Sequence, residues 1–188
     1  MRDTNPWLCQ GDIFAEVPWI LSEIGSAGVR ADVEMGGALL VTQDCQLDKR
    51  RRDPGSGKLI PAVERLQFVP LRDLQDLEAD IQRRVRGLEI NPPRAVYVGR
   101  PDPQSDEFFG ALDEVYDIPA SYFRPSIQDC SAQVGIAASD SDPYRLIIDA
   151  NDTRIGTLEQ EAVDALHAKM VLYWTGRRST VVTAETES

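Results

Sequence analysis

The sequence predicts an α+β protein that is mainly β: a small bent antiparallel sheet, or a partly open SH3-like barrel. It adds one inserted helix at about 73–88 and a C-terminal helix at about 157–174. Three observations carry this prediction. Short apolar or β-branched runs recur at 38–42, 65–70, 95–98 and 144–149, each flanked by Gly, Pro or charged residues. Only two segments show a helical period. Strands and helices do not alternate, which argues against a doubly wound parallel sheet and for an antiparallel one with peripheral helices.

The elements follow in chain order. Residues 1–10 read as an irregular lead-in anchored by Trp7 and Leu8. Asp12-Ile13-Phe14-Ala15-Glu16-Val17 reads as a short strand that Pro18 stops. Residues 19–36 hold Gly25, Gly28 and Gly36 and predict a long loop or a small hairpin. Ala38-Leu39-Leu40-Val41-Thr42 is the strongest buried-strand signal. Residues 45–58, with Lys49-Arg50-Arg51-Arg52 and Pro54-Gly55, predict an exposed charged loop. Arg65–Pro70 returns as a strand. Leu74, Leu77, Ile81, Val85 and Leu88 then fall on one helical face behind Asp73, a good N-cap. Asn91-Pro92-Pro93 closes that unit. Ala95–Val98 is a strand, 101–109 a loop, and 112–123 a hairpin or two short strands around Pro119. Residues 126–143 predict no definite element, and Tyr144–Asp149 predicts a strand. Thr157-Leu158-Glu159-Gln160 matches a capping box and opens the last helix. Its inward residues are Leu158, Ala162, Leu166, Met170 and Tyr173, with Gly176 as its stop. Residues 1–178 then form a single domain, followed by a frayed tail at 179–188.

The chain has 188 residues, with 20 Lys+Arg against 31 Asp+Glu and a net charge of −11. A chain of this length buries about 70% of its unfolded surface and needs no staple to fold. The charge is uneven. Residues 1–47 hold 2 basic and 7 acidic side chains, residues 48–94 hold 11 and 8, and residues 95–175 hold 5 and 14. Such a balance excludes a protein that coats nucleic acid with a basic face. No apolar stretch is long enough to span a bilayer, and the N-terminus lacks a secretory pattern, so neither membrane nor secretion is expected. Cys9, Cys45 and Cys130 are odd in number and widely spaced, which fits a reducing cytoplasm.

Two pieces together resemble PemK/MazF-like toxins: Gly11-Asp12-Ile13-Phe14 with Val17-Pro18, and then Ala38-Leu39-Leu40-Val41-Thr42, with Phe68-Val69-Pro70 after them. The resemblance covers roughly residues 10–72 and implies the SH3-like barrel. Family members that cut RNA place Arg-Pro before the apolar strand and Thr shortly after the Val-Pro strand. Here Gly36-Gly37 and Leu71-Arg72-Asp73 stand in those places. The groups that polarise the scissile phosphate are therefore missing.

Several constellations are candidates for chemistry. Thr42, Gln43, Asp44 and Cys45 sit where the central strand exits, a place where a rigid element meets an accessible loop. Asp44 and Cys45 are the candidate catalytic residues. Thr42, Gln43 and Asp44, with Arg50, Arg51 and Arg52, are the candidate binding set; the same residues also read as a strand terminus and a solvated charge run. Cys45 and His167 would make a thiol–imidazole pair if the last helix packed on the strand exit; on its own, a single helical His reads as a boundary residue. Cys9, Cys45, Cys130 and His167 lack the close pairs of a structural zinc site, and Asp140, Asp142, Asp149 and Asp152 lack an EF-hand pattern. No metal or cofactor is expected. Trp7, Trp19 and Trp174 read as core caps or interface anchors.

The functional expectation is a bacterial, non-catalytic accessory or regulatory protein of a toxin-like or defence module. It would bind chiefly another protein, and a basic partner suits its acidity. A homo-oligomer is compatible with the sequence. The competing expectation is a divergent PemK/MazF-like endoribonuclease acting on single-stranded RNA through Gln43, Asp44, Cys45 and Arg50–Arg52.

Overall fold

In a computed structural model, residues 7–25, 28–101, 104–129, 144–149 and 153–184 are described. Among the described residues the protein is mainly β, with 42% strand, three helices and a curled, half-barrel antiparallel sheet. The strands are β1 (Asp12–Gly25), β2 (Gly28–Leu40), β3 (Arg50–Arg52), β4 (Leu59–Pro61), β5 (Arg65–Asp73), β6 (Ala95–Gly99), β7 (Phe108–Ala111), β8 (Tyr116–Pro119), β9 (Ser126–Asp129), β10 (Tyr144–Ile147) and β11 (Arg154–Thr157). The helices are α1 (Asp44–Leu47), α2 (Ala79–Arg86) and α3 (Gln160–Ala184). The main sheet runs β11-β1-β2-β5-β7-β6, with β8 also on β5. Small hairpins β3–β4 and β9–β10 stand beside it.

The continuous apolar run at 38–42 exists because the centre of the sheet is covered on both faces. Leu40 pairs with Phe68, and Leu39 with Val69. Alternate residues of a strand face opposite ways. Phe14, Leu40 and Phe68 therefore enter one core with Leu66, Ile118, Phe123 and Leu146. Ile13, Leu39 and Val69 enter the other with Val96, Val98, Leu158, Val163 and Leu166, where α3 covers the sheet. In the first core Phe14 meets Phe68 edge-on at 5.3 Å and Phe123 at 5.5 Å.

Several expectations change. Pro18 does not stop β1. The strand continues to Gly25 and pairs with β2 out to Gly28, so 19–25 and 28–36 are the two arms of a long antiparallel pair. Proline is tolerated at Pro18 because β11 leaves β1 after Phe14 and β1 is an edge strand from there. The charged segment 45–58 is not a plain loop. It holds α1, and Arg50–Arg52 pair with Leu59–Pro61. The first predicted helix breaks in two: a 3₁₀ turn at Leu74–Asp76, capped by Asp73 accepting from the Gln75 N–H at 2.8 Å, then α2. Leu74 and Val85 are nevertheless both fully buried, with Leu77 and Ile81 beside them. Phe108–Ala111 is a strand and not the end of a loop. Thr157 is no helix cap. It ends β11 and donates to Asp12, while Glu159 carries the first helical turn by accepting from the Ala162 and Val163 N–H groups. The helix passes Gly176 and reaches Ala184.

Two contacts set the packing. Trp19 stacks on Tyr116 at 5.5 Å and lies over Gly36, where an added Cβ would come within 2.6 Å of the indole. Lys169 on α3 is fully buried and donates to the carbonyls of Glu89, Ile90 and Pro92, the last at 2.9 Å. It thereby ties α3 to the turn after α2. Burial lowers its pKa to about 8, helped by Arg84 and opposed by Glu89.

Gly36→Ala is expected to destabilise the fold by about 1–3 kcal/mol, since the indole must leave Tyr116 to admit the methyl group. Urea denaturation measures it, and an unchanged midpoint would contradict this packing account. Lys169 predicts a pH dependence. Its pKa is below the unfolded value, so between about pH 8 and 10.5 the unfolded chain holds the extra proton and stability rises with pH. Denaturation midpoints compared with Lys169→Met should show up to one proton less of upward slope in the variant over that window.

Candidate functional site

The lead-in before β1 carries the residue that organises the site. Gly11, with φ of 91°, turns the chain so that Gln10 lies against the strand exit. Gln10 is 2% exposed, and its backbone N–H and both ends of its side-chain amide are held. Its backbone N–H donates to Asp44 Oδ1 at 2.7 Å, and its side-chain Nε2 donates to the Val41 carbonyl at 3.0 Å. Its Oε1 meets His167 Nε2 at 2.6 Å. Because the amide nitrogen serves Val41, the oxygen faces the ring. His167 Nε2 therefore donates to that oxygen, and in the neutral form of the ring the lone pair lies on Nδ1.

The second part of the site is the strand exit. Val41 continues the line of β2 through its N–H bond to the Gln67 carbonyl. Leu47, 1% exposed, pins α1 to the core, so Gln43, Asp44 and Cys45 are fixed although each is exposed. The Cys45 thiol donates to Gln43 Oε1 at 3.6 Å. The third part is α3, which brings His167, Met170 and Val171 across the exit. Together these elements enclose a cleft of about 720 Å³. Val41, Met170 and Val171 form its apolar side. Gln43, Gln46 and Gln67 offer amides, Gln10 spends its own on Val41 and His167, and Asp44, Cys45 and His167 complete the wall.

The lining contains one carboxylate, one imidazole and no Lys or Arg. Of the Asp44 carboxylate, Oδ1 is held by the Gln10 N–H, and among the described residues Oδ2 has no protein partner. A fixed carboxylate beside neutral amides and an apolar side favours a cationic or neutral polar ligand over an anionic one.

The sequence candidates divide. Gln43, Asp44 and Cys45 line the cleft together, and His167 joins them across 122 positions of chain from Cys45. No hydrogen bond joins Cys45 and His167; each is bonded to a different glutamine. Thr42 is 1% exposed, and its hydroxyl accepts the Gln67 N–H at 2.7 Å, which makes it part of the β2–β5 seam. Arg50, Arg51 and Arg52 lie on β3, outside the lining. Arg50 donates to the Tyr144 carbonyl at 3.0 Å and sits over the Tyr144 ring, and Arg52 donates to the Gly57 carbonyl. Cys130, Asp140, Asp142 and Asp152 fall outside the described residues, and Asp149 pairs with Arg124 at 3.4 Å. Among the described residues no group of three or more His, Cys, Asp or Glu is placed to hold a metal ion. No described helix is long and apolar enough to cross a membrane. Gln10 is the residue of the cleft that sequence reasoning misses. Nothing local marks it, since its partners lie 31 to 160 positions away.

No protein family, curated protein or solved structure matches this chain.

Gln10→Ala is expected to cost about 2 kcal/mol, because it leaves the Val41 carbonyl buried without its donor. Cys45→Ser, at an exposed position, should stay within about 0.5 kcal/mol of the parent. Equal midpoints for both variants in chemical denaturation would contradict the role given to Gln10.

Proposed function

We propose that the protein binds another protein, taking a short polypeptide segment with a basic side chain into the cleft between α1 and α3. The observation that carries this reading is the lining: three glutamine amides besides the engaged Gln10, one oriented carboxylate, an apolar side, and no Lys or Arg. Glutamine amides both donate and accept, which matches the peptide backbone. Asp44 supplies the charge partner for Lys or Arg, and the net charge of −11 draws basic segments from a distance. A phosphodiester ligand needs cations at the site of binding. The arginines of β3 stand apart from the cleft, and at least Arg50 and Arg52 are engaged with carbonyls. The resemblance to PemK/MazF-like proteins adds a setting, that of an accessory or regulatory component of a bacterial toxin-like or defence module.

Panning a random peptide library on the purified protein tests this reading. Enriched peptides should carry Lys or Arg, and Asp44→Asn should weaken their binding by about tenfold, the loss of one charge pair. No enrichment would overturn the reading. So would metal-free cleavage of single-stranded RNA that an Asp44→Ala, His167→Ala double variant loses, since that outcome favours the endoribonuclease.

A further inference from the structure

We propose that Cys45 and His167 make this cleft a thiol acyl-transfer site, which acts on the polypeptide held there; the substrate class rests on the binding reading above. A surface histidine needs no orienting partner. His167 is exposed, yet its ring is held at 2.6 Å by Gln10, a residue 2% exposed and locked in turn by the Val41 carbonyl. This bond places the ring proton on Nε2 and leaves Nδ1 as the base. An amide that fixes the direction of an imidazole, with a cysteine lining the same cleft, supplies the parts of an activated thiol nucleophile, which is complete once the Cys45 thiol turns from Gln43 onto the ring. Gln10 is therefore a positioning residue, and its backbone also fixes Asp44, the neighbour of Cys45.

Cys45 is exposed and lines the cleft with His167. Its bond to Gln43 Oε1, at 3.6 Å, is a weak one, so little is lost when the thiol turns toward the ring. With its oxygen on the thiol side, the Gln43 amide keeps two N–H groups for the oxygen on which charge develops. In the reaction, Cys45 Sγ bonds to the acyl carbon of the bound segment, and its proton passes to His167 Nδ1. The carbon–nitrogen or carbon–oxygen bond breaks, and the leaving group takes that proton. Water then hydrolyses the thioester and restores the thiol.

The test is the rate of iodoacetamide alkylation at Cys45, followed by peptide mass mapping across about pH 5 to 9 on the full chain. In the parent protein the reaction at about pH 6.5 should exceed that of His167→Ala on the order of tenfold or more, and the variant's rate should rise only at higher pH. Gln10→Asn, which keeps the amide and shortens its reach, should move the profile in the same direction without unfolding the chain. p-Nitrophenyl acetate, a donor that needs no peptide recognition, should acetylate Cys45 in the parent and not in His167→Ala. Matching alkylation profiles in parent and His167→Ala, with no acetylation, would overturn the proposal even if library peptides bind. A reactive Cys45 in a protein that selects no peptide would leave the thiol site standing and remove the polypeptide as its substrate.

Discussion

The structure depends on one buried carboxylate. Asp12 is fully buried at the start of β1 and accepts from three groups: the Cys9 N–H at 2.8 Å, the Thr157 hydroxyl at 2.6 Å and the Arg154 guanidinium at 3.0 Å. Arg154 also reaches the Trp7 carbonyl at 2.9 Å. Burial pushes the Asp12 carboxyl up, while Thr157, the Cys9 N–H and Arg154 all pull it down. A buried ion pair adds little net stability, because desolvation offsets much of its Coulomb energy. Its effect is geometric: a carboxylate that loses any partner becomes an unsatisfied buried charge, so all three must stay in place. That requirement locks the lead-in to β11, and with them the two pieces of chain that define the site. Gln10 lies two residues before Asp12, and α3 starts three residues after Thr157.

The curl of the sheet then decides where a cleft forms. β2 leaves the sheet at Leu40, and the chain must turn into α1 while still covered by α3 on one side. A strand end carries backbone groups that its neighbours cannot all satisfy. Here side chains complete the seam. Gln10 serves the Val41 carbonyl, Thr42 serves the Gln67 N–H, and Asp44 serves the Gln10 N–H. The polar wall of the cleft is thus also the hydrogen-bonding completion of the sheet. This explains how a polar site survives against an apolar core without leaving buried groups unpaired.

Electrostatics reinforces the separation between the cleft and the basic segment. Residues 48–94 carry the chain's basic excess, yet their four consecutive cations fall on the β3–β4 hairpin and its approach, where Arg50 binds the β10 backbone. Further along, Arg72, Arg84 and Arg86 pair with Glu114, Glu89 and Glu107. Much of the basic excess is therefore consumed by ion pairs and carbonyl contacts within the protein. The carboxylate in the lining of the cleft is Asp44, and no Lys or Arg stands beside it there.

The sequence by itself determined the class of fold, because binary pattern reports burial directly. The apolar run at 38–42 is continuous since both faces of the central strand are covered, and the spacing of Leu74, Leu77, Ile81 and Val85 marks a buried face even though the helix there breaks. It also placed Gln43, Asp44 and Cys45 at a strand exit. Local signals misled where a competing contact outweighed them. Three glycines hid the alternation Val29-Arg30-Ala31-Asp32-Val33 of the long antiparallel pair, and a capping-box pattern at Thr157 gave way to a stronger hydrogen bond to Asp12. Only the tertiary structure decided which residues make the cleft. Gln10 and His167 are 157 positions apart, and each looks ordinary in its own segment. Their meeting is set by the sheet register and by the Asp12 knot, and no local pattern encodes a contact that exists only once those long-range pairings have closed.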